Sequence, residues 1–174
     1  ARQVARLLAV AEGALDNRPR WQDQATLRGE IALLYLETGH ADEYRRLRDA
    51  VRVILFDTEE SAERSGVVEQ FYPMEAGVVR TIMRSFFQRQ RFREGEQFLD
   101  WISGERERLS APEEVVLAYI NARQLEEAER RAERMVADFA NPRGWHSPEE
   151  HAGFRSTLQI ILSNLSKAYA DAAY

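Results

Sequence analysis

The stretch LLYLETGHADEY, Leu33 to Tyr44, decides how this chain folds. An apolar run stops at Thr38-Gly39, and a charged run opens at Asp42-Glu43. The same outline returns in SFFQRQRFREGE, Ser85 to Glu96, and in LAYINARQLEEAE, Leu117 to Glu129. In each stretch an aromatic residue stands one turn before the break: Tyr35, Phe86 or Tyr119. After two or three turn residues the next run opens on Asp42-Glu43, Glu94 or Glu126-Glu127. Acidic side chains suit the positive N-terminal end of a helix. Each stretch therefore predicts two helices joined by a tight turn, and so short a connection makes them antiparallel neighbours.

The rest of the chain agrees. Apolar residues recur at three and four, as in Leu27, Ile31, Leu34 and Tyr35, or Val79, Ile82, Met83 and Phe86. Val115, Val116, Tyr119 and Ile120 form another such face, and so do Leu158, Ile161, Leu162 and Leu165. This is helical periodicity, and no sustained alternation or Asn-Gly hairpin competes with it. Ser110-Ala-Pro-Glu113 and Ser147-Pro-Glu-Glu150 read as capping boxes. Asn17 and Pro19 break the first helix, and Gly39 offers a left-handed residue at a helix end. The pattern predicts helices at about 2–16, 22–38, 41–56, 59–71, 75–89, 92–104, 111–122, 125–139 and 148–172.

Composition bounds the function. The 174 residues are 44% hydrophobic and 30% charged, which describes a globular chain long enough for one domain with a core. The net charge of −5 weighs against nucleic acid as the main partner. Cysteine is absent, which excludes disulfides, a thiol nucleophile and thiolate metal sites and fits a reducing, cytoplasmic setting. No apolar run approaches the ~18 residues that span a membrane, and no signal peptide is visible. Because the chain opens at Ala1 in an amphipathic pattern, residues 1–174 read as a single helical-repeat domain cut from a longer protein. Arginine outnumbers lysine 23 to 1, for which genomic codon bias is the plain explanation. Arginine nonetheless grips carboxylates in a bidentate way that lysine does not.

The aromatics suggest a repeat. Tyr35 and Phe86 are 51 residues apart, and Phe86 and Tyr119 are 33 apart. A unit of about 34 residues explains the second interval, and the first if an extra half-unit of about 17 is inserted. On these residues the chain resembles the tetratricopeptide repeat (TPR) family. LEEAERRAERM is similar to that family's second helix, with Ala128 and Ala132 as its small residues. ALLYLETGHADEY carries the aromatic, glycine and acidic turn at Tyr35, Gly39 and Asp42-Glu43. AVAEGALDNRP resembles the second helix of a preceding repeat, so the chain would begin mid-repeat. At the place of the family's small residue in the first helix stand Ala32, Met83 and Val116, and Tyr44 and Gly95 stand where alanine is usual. The resemblance implies an all-α fold of stacked antiparallel hairpins, a TPR-like α-solenoid.

Two segments lie outside the repeat. Asp57 to Glu75 carries six acids and one arginine, and the expectation is one inserted helix stopped by Pro73. Phe71, Tyr72 and Met74 beside that stop either pack onto neighbouring helices or form an exposed anchor for a partner. Phe139 to Phe154 reads as a linker and a final capping helix, polar at Arg155, Gln159, Asn164 and Lys167.

No nucleophile elbow, phosphate-cradling loop or catalytic pair is present, so no enzymatic role and no cofactor is expected. Pairs such as Glu113-Glu114 and Glu149-Glu150 are explained by helix starts. His40 sits in a turn and is expected to be solvated. His146 and His151 are five apart, the wrong spacing for metal ligands on one helical face, so no metal site is assigned.

The stretch RTIMRSFFQRQRFR, Arg80 to Arg93, holds five arginines and no acid. Its arginines either neutralise the acidic segments around them, engage an acidic peptide, or hold nucleic acid by phosphate contact and stacking. The resemblance implies a concave groove lined by the first helices. Carried over by residue, that lining is Leu33, Leu36 and Glu37, then Arg80, Arg84, Phe87 and Gln88, then Leu117, Ile120 and Asn121. The expected function is a protein–protein interaction module (scaffold, chaperone-like or regulatory subunit) whose groove binds a peptide or protein with a carboxylate beside apolar groups. The alternatives are a nucleic-acid-associated domain using Arg80–Arg93 and a sensor or homodimerisation domain of a regulator.

Overall fold

The computed structural model describes residues 2–15, 20–139 and 148–172, and among these every regular element is helical. The α-helices are α1 (Arg2–Gly13), α2 (Trp21–Glu37), α3 (Ala41–Ser65), α4 (Val68–Gln88), α5 (Phe92–Glu96), α6 (Glu105–Asn121), α7 (Leu125–Phe139) and α8 (Pro148–Ala172). A 3-10 turn covers Leu99–Trp101. The expected all-α class is the observed one.

The three stretches that predicted turns end their helices in one way. After α2, the His40 N–H donates to the Tyr35 carbonyl at 2.9 Å and Gly39 N–H to Leu36 at 3.2 Å. After α4, Arg91 N–H donates to Phe86 at 2.9 Å and Gln90 N–H to Phe87 at 2.9 Å. After α6, Gln124 N–H donates to Tyr119 at 3.0 Å and Arg123 N–H to Ile120 at 3.0 Å. This is the Schellman arrangement, which requires one residue in the left-handed region. Gly39 (φ 80°), Gln90 (φ 58°) and Arg123 (φ 61°) supply it. The aromatic of each stretch is thus the residue whose carbonyl closes the wider loop.

The chain forms two compact units, residues 1–103 and 104–174. In the first, α2 packs on α3 and also lies beside α4, while α1 packs on α2 and α5 on α4. Contacts along α2 and α4 climb in the same direction. The Trp21 ring lies 5.6 Å from Phe71, Gln22 Nε2 is 3.7 Å from Met74 Sδ, Gly29 sits against Ile82, and Arg89 pairs with Glu37 at 3.5 Å. The two first helices are therefore parallel neighbours, offset by one hairpin. Phe71, Ile82, Met83, Phe86, Phe98, Leu47 and Val51 fill the space between layers. Fully burying such a side chain contributes roughly 1.5 to 3 kcal/mol. Arg48 donates to Gln97 Oε1 at 3.2 Å and ties α3 to the chain beyond α5.

The expected inserted helix is corrected. α3 runs unbroken from Ala41 to Ser65, and Val51, Leu55 and Ala62 keep it on the core. The break is Gly66 (φ 70°), where Val67 N–H donates to the Ala62 carbonyl at 3.0 Å. α4 starts at Val68 and holds Pro73 inside it, forgoing only the bond to the Glu69 carbonyl while the ring's fixed φ suits the helix. The residues that lengthen the interval from Tyr35 to Phe86 thus extend two helices. Phe71 is buried, Tyr72 half-buried and Met74 exposed, so the packing reading holds for the first of the three.

Other boundaries move too. α5 has five residues where a helix to about 104 was expected, and Ile102 is extended (ψ 110°). α6 begins at Glu105, so Ser110 does not cap it and Pro112 lies inside it. α1 ends at Gly13, and Asn17 and Pro19 lie outside the described residues.

In the second unit α6 packs on α7, and α8 packs on both. The Tyr169 hydroxyl donates to Glu129 Oε2 at 2.8 Å, joining the end of α8 to the start of α7. Val115, Val116, Tyr119, Ala128, Ala132, Ile161 and Leu165 are buried between them. On α8, Arg155, Gln159 and Lys167 are exposed and Asn164 is half-buried. Ile160 and Leu162 are also exposed, at 51% and 52%, so the outer side of α8 is not the uniformly polar cap that was expected. Ser147 and the linker before it lie outside the described residues.

Candidate functional site

The outward face of α4 is built by helical spacing. Gly77, Thr81, Arg84 and Gln88 are exposed along one stripe, while Val78, Val79, Ile82, Met83 and Phe86 are buried. The Thr81 hydroxyl donates to the Gly77 carbonyl at 2.8 Å and Ser85 to Thr81 at 3.3 Å. Both hydroxyl protons are thus held by the helix itself. Arg84 and Gln88 are exposed along this stripe, and Arg80 is half-buried at its edge.

The expected groove residues separate into two sets. Leu36 and Leu117 are half-buried and Asn121 and Glu37 exposed, alongside Arg84 and Gln88. Leu33, Phe87 and Ile120 are buried and are corrected from groove lining to core. Phe87 stacks on Phe92 (5.7 Å, 20° between planes) and fills the space left by Gly95, whose missing Cβ would sit 2.6 Å from Phe87 Cε1. Leu34 (38% exposed), not Leu33, faces out from α2. Leu117, Ile120 and Asn121 belong to the second unit.

His40 is not solvated as expected. It is half-buried, lies edge-on to Tyr35 at 5.9 Å, and its Nε2 is buried with no hydrogen bond among the described residues. His146 and the His151 side chain lie outside what is described. Among the described residues no three His, Asp or Glu side chains are grouped to hold a metal ion.

A second feature was not anticipated. An open cleft of about 150 Å³ lies in the first unit, lined by Phe56 and Glu59 of α3, Glu75 of α4, and Asp100 and Trp101, with Arg52 also on its wall. Glu75, 1% exposed, is the one buried charged side chain among the described residues. Its carboxylate accepts the Ser103 N–H at 2.8 Å and the Ser103 hydroxyl at 3.0 Å, and that hydroxyl lies 2.9 Å from Glu59 Oε2. A buried carboxylate is costly unless such donors meet it, and hydrogen bonds to an ion are the strong kind. Holding Ser103 here draws the chain out of helix after α5. Trp101 is held by the edge of buried Phe98 (4.6 Å, 70°), which packs on Phe86 at 5.2 Å. The sequence did carry one signal for this cleft: Glu75 interrupts the apolar stripe Phe71, Val78, Val79, Ile82, and a carboxylate in core register needs donors.

No protein-family model, curated protein or solved structure matches this chain. Among the described residues, no helix is long and apolar enough to cross a membrane.

Proposed function

We propose that this chain is a protein–protein interaction module of TPR-like tandem hairpins, acting as a scaffold, chaperone-like or regulatory subunit and binding a peptide or protein along the outward face of α4. The observation that carries this reading is the parallel pairing of α2 with α4. It sets α2 and α4 side by side, which is how the first helices of stacked repeats lie. Arg84 offers a bidentate fork for a partner's carboxylate, Gln88 adds an amide one turn on, and half-buried Leu36 supplies apolar contact. Affinity then comes from the apolar contacts, and the guanidinium selects an acidic segment.

The test is Arg84→Glu. A partner captured by the wild-type chain from its source and identified by mass spectrometry should bind this variant about tenfold or more weakly. Circular dichroism should be unchanged, because Arg84 is exposed. A partner that binds the variant as tightly as the wild type removes the α4 face from the interface.

A further inference from the structure

The cleft beside Glu75 has a chemistry of its own. Three carboxylates, Glu59, Glu75 and Asp100, line it together with one guanidinium, Arg52. Carboxylates alone would hold only a loose cloud of counterions. Here they share the cleft with two aromatic rings: Trp101 is half-buried and Phe56 is 58% exposed. A phenyl group left that far in water contributes little to the core of its own unit. An aromatic face beside a carboxylate is, however, what an organic cation binds, through the ring's negative face and the carboxylate's charge together.

The geometry points to this cleft as the receptor for one basic side chain, a guanidinium or ammonium group presented by a peptide partner. The volume of about 150 Å³ admits one side-chain head and falls below the roughly 300 Å³ at which drug-sized pockets begin. The far wall is preorganised. Ser103 fixes Glu75 by two hydrogen bonds, and the Phe86–Phe98 pair braces Trp101. Phe56 and Asp100 stand exposed at the mouth, where an incoming cation is met first. Arg52 is the element that opposes this ligand, so its removal has a diagnostic sign. It strengthens binding of a cation and weakens binding of an anion.

No residue of the Arg84 stripe lines the cleft, and the experiment keeps the two apart. The whole chain is titrated with N-acetyl-arginine amide, with the neutral glutamine and anionic glutamate analogues in parallel, following the Trp101 indole and Ser103 amide resonances. The arginine probe alone should give saturable shifts, at millimolar affinity. Phe56→Ala and Asp100→Asn should each weaken it about threefold to tenfold, and both positions are exposed, so the fold stays intact. Arg52→Gln should tighten it, and Arg84→Glu should leave it unchanged. Absence of saturable shifts, equal shifts from the neutral analogue, or a loss of affinity on Arg52→Gln overturns the proposal, the last assigning the cleft to an anion.

Discussion

The hairpins α2–α3 and α4–α5 share one turn geometry and differ in their second helices. Both turns make the same two hydrogen bonds, yet α3 runs for 25 residues and α5 for five. The hairpins diverge in the first turn of the second helix, where Tyr44, Gly95 and, in the second unit, Ala128 donate to His40, Arg91 and Gln124. Tyr44 is buried and reaches across to Phe86, 6.3 Å between centroids. At Gly95 the direction is reversed, and Phe87 of the first helix fills the gap. A turn motif fixes the reversal of the chain. Which helix supplies the ring between the pair is a separate choice, and how long the second helix runs depends on residues further on.

Removing the ring at one position and adding bulk at the other tests that contrast hardest. Tyr44→Gly should remove a buried ring that nothing can replace and destabilise the first unit by about 3 kcal/mol or more. Gly95→Val should overpack the opposite hairpin, with its Cβ at 2.6 Å from Phe87 Cε1 and 3.1 Å from Phe86 Cβ, and cost about 1 to 3 kcal/mol. Urea unfolding measures both. A neutral Gly95→Val would mean that Phe87 can turn aside, and the two hairpins would then not differ in the way described.

The turns themselves come next in magnitude. Gly39 takes its left-handed backbone freely, whereas Gln90 and Arg123 hold the same region with a Cβ. Gly39→Ala should therefore destabilise by about 1 kcal/mol. Gln90→Gly and Arg123→Gly should each stabilise, by up to about 1 kcal/mol once the greater freedom of glycine in the unfolded chain is subtracted. All three are exposed, so packing does not obscure the comparison. Equal responses at the three positions would show that the surrounding helices, not the turn residue, determine the conformation.

The turns were legible because a Schellman end is local. Its hydrogen bonds span one short window, and the aromatic, the break and the acidic restart all fall inside it. The second half of α3 was not legible. Only Leu55 and Ala62 mark it as core-facing, among the charged Asp57, Glu59, Glu60, Glu63 and Arg64, which together read as an acidic insert. Pro73 misled because proline stops a helix less surely when little of the helix precedes it. On α4, the resemblance carried Arg84 and Gln88 onto the outward face, and both are exposed. It could not place Phe87, since the side chain it fills against is missing at Gly95, eight residues on. The cleft was least legible of all: Ser103 meets Glu75 across 28 residues and Glu59 across 44.

The outer clamps separate the two hairpins by a smaller margin. The α2–α3 hairpin is held from α1 by Arg46, whose guanidinium grips both oxygens of Glu12, with Nη2 to Oε2 at 2.7 Å. The outer tie of α4–α5 is the uncharged acceptor Gln97. The Arg46 hydrogen bond, then the charges of Arg46 and Arg28, hold the Glu12 carboxyl below its ordinary range against the opposing effect of burial. A depressed folded pKa means that the folded chain binds this proton less readily than the unfolded one. The clamp's stability is thus fully present above the ordinary carboxylate range and is lost as pH falls through the folded value. Because Arg46 is largely exposed, Glu12→Gln should cost only about 0.5 to 1 kcal/mol near neutrality. The gap to wild type should close in acid, where Glu12 is protonated in both states. Gln97→Ala should show no such pH dependence, since no ionisable acceptor is removed. A wild-type-to-variant gap at Glu12 that stays constant into acid would show that the side chain acts there by packing, not by charge.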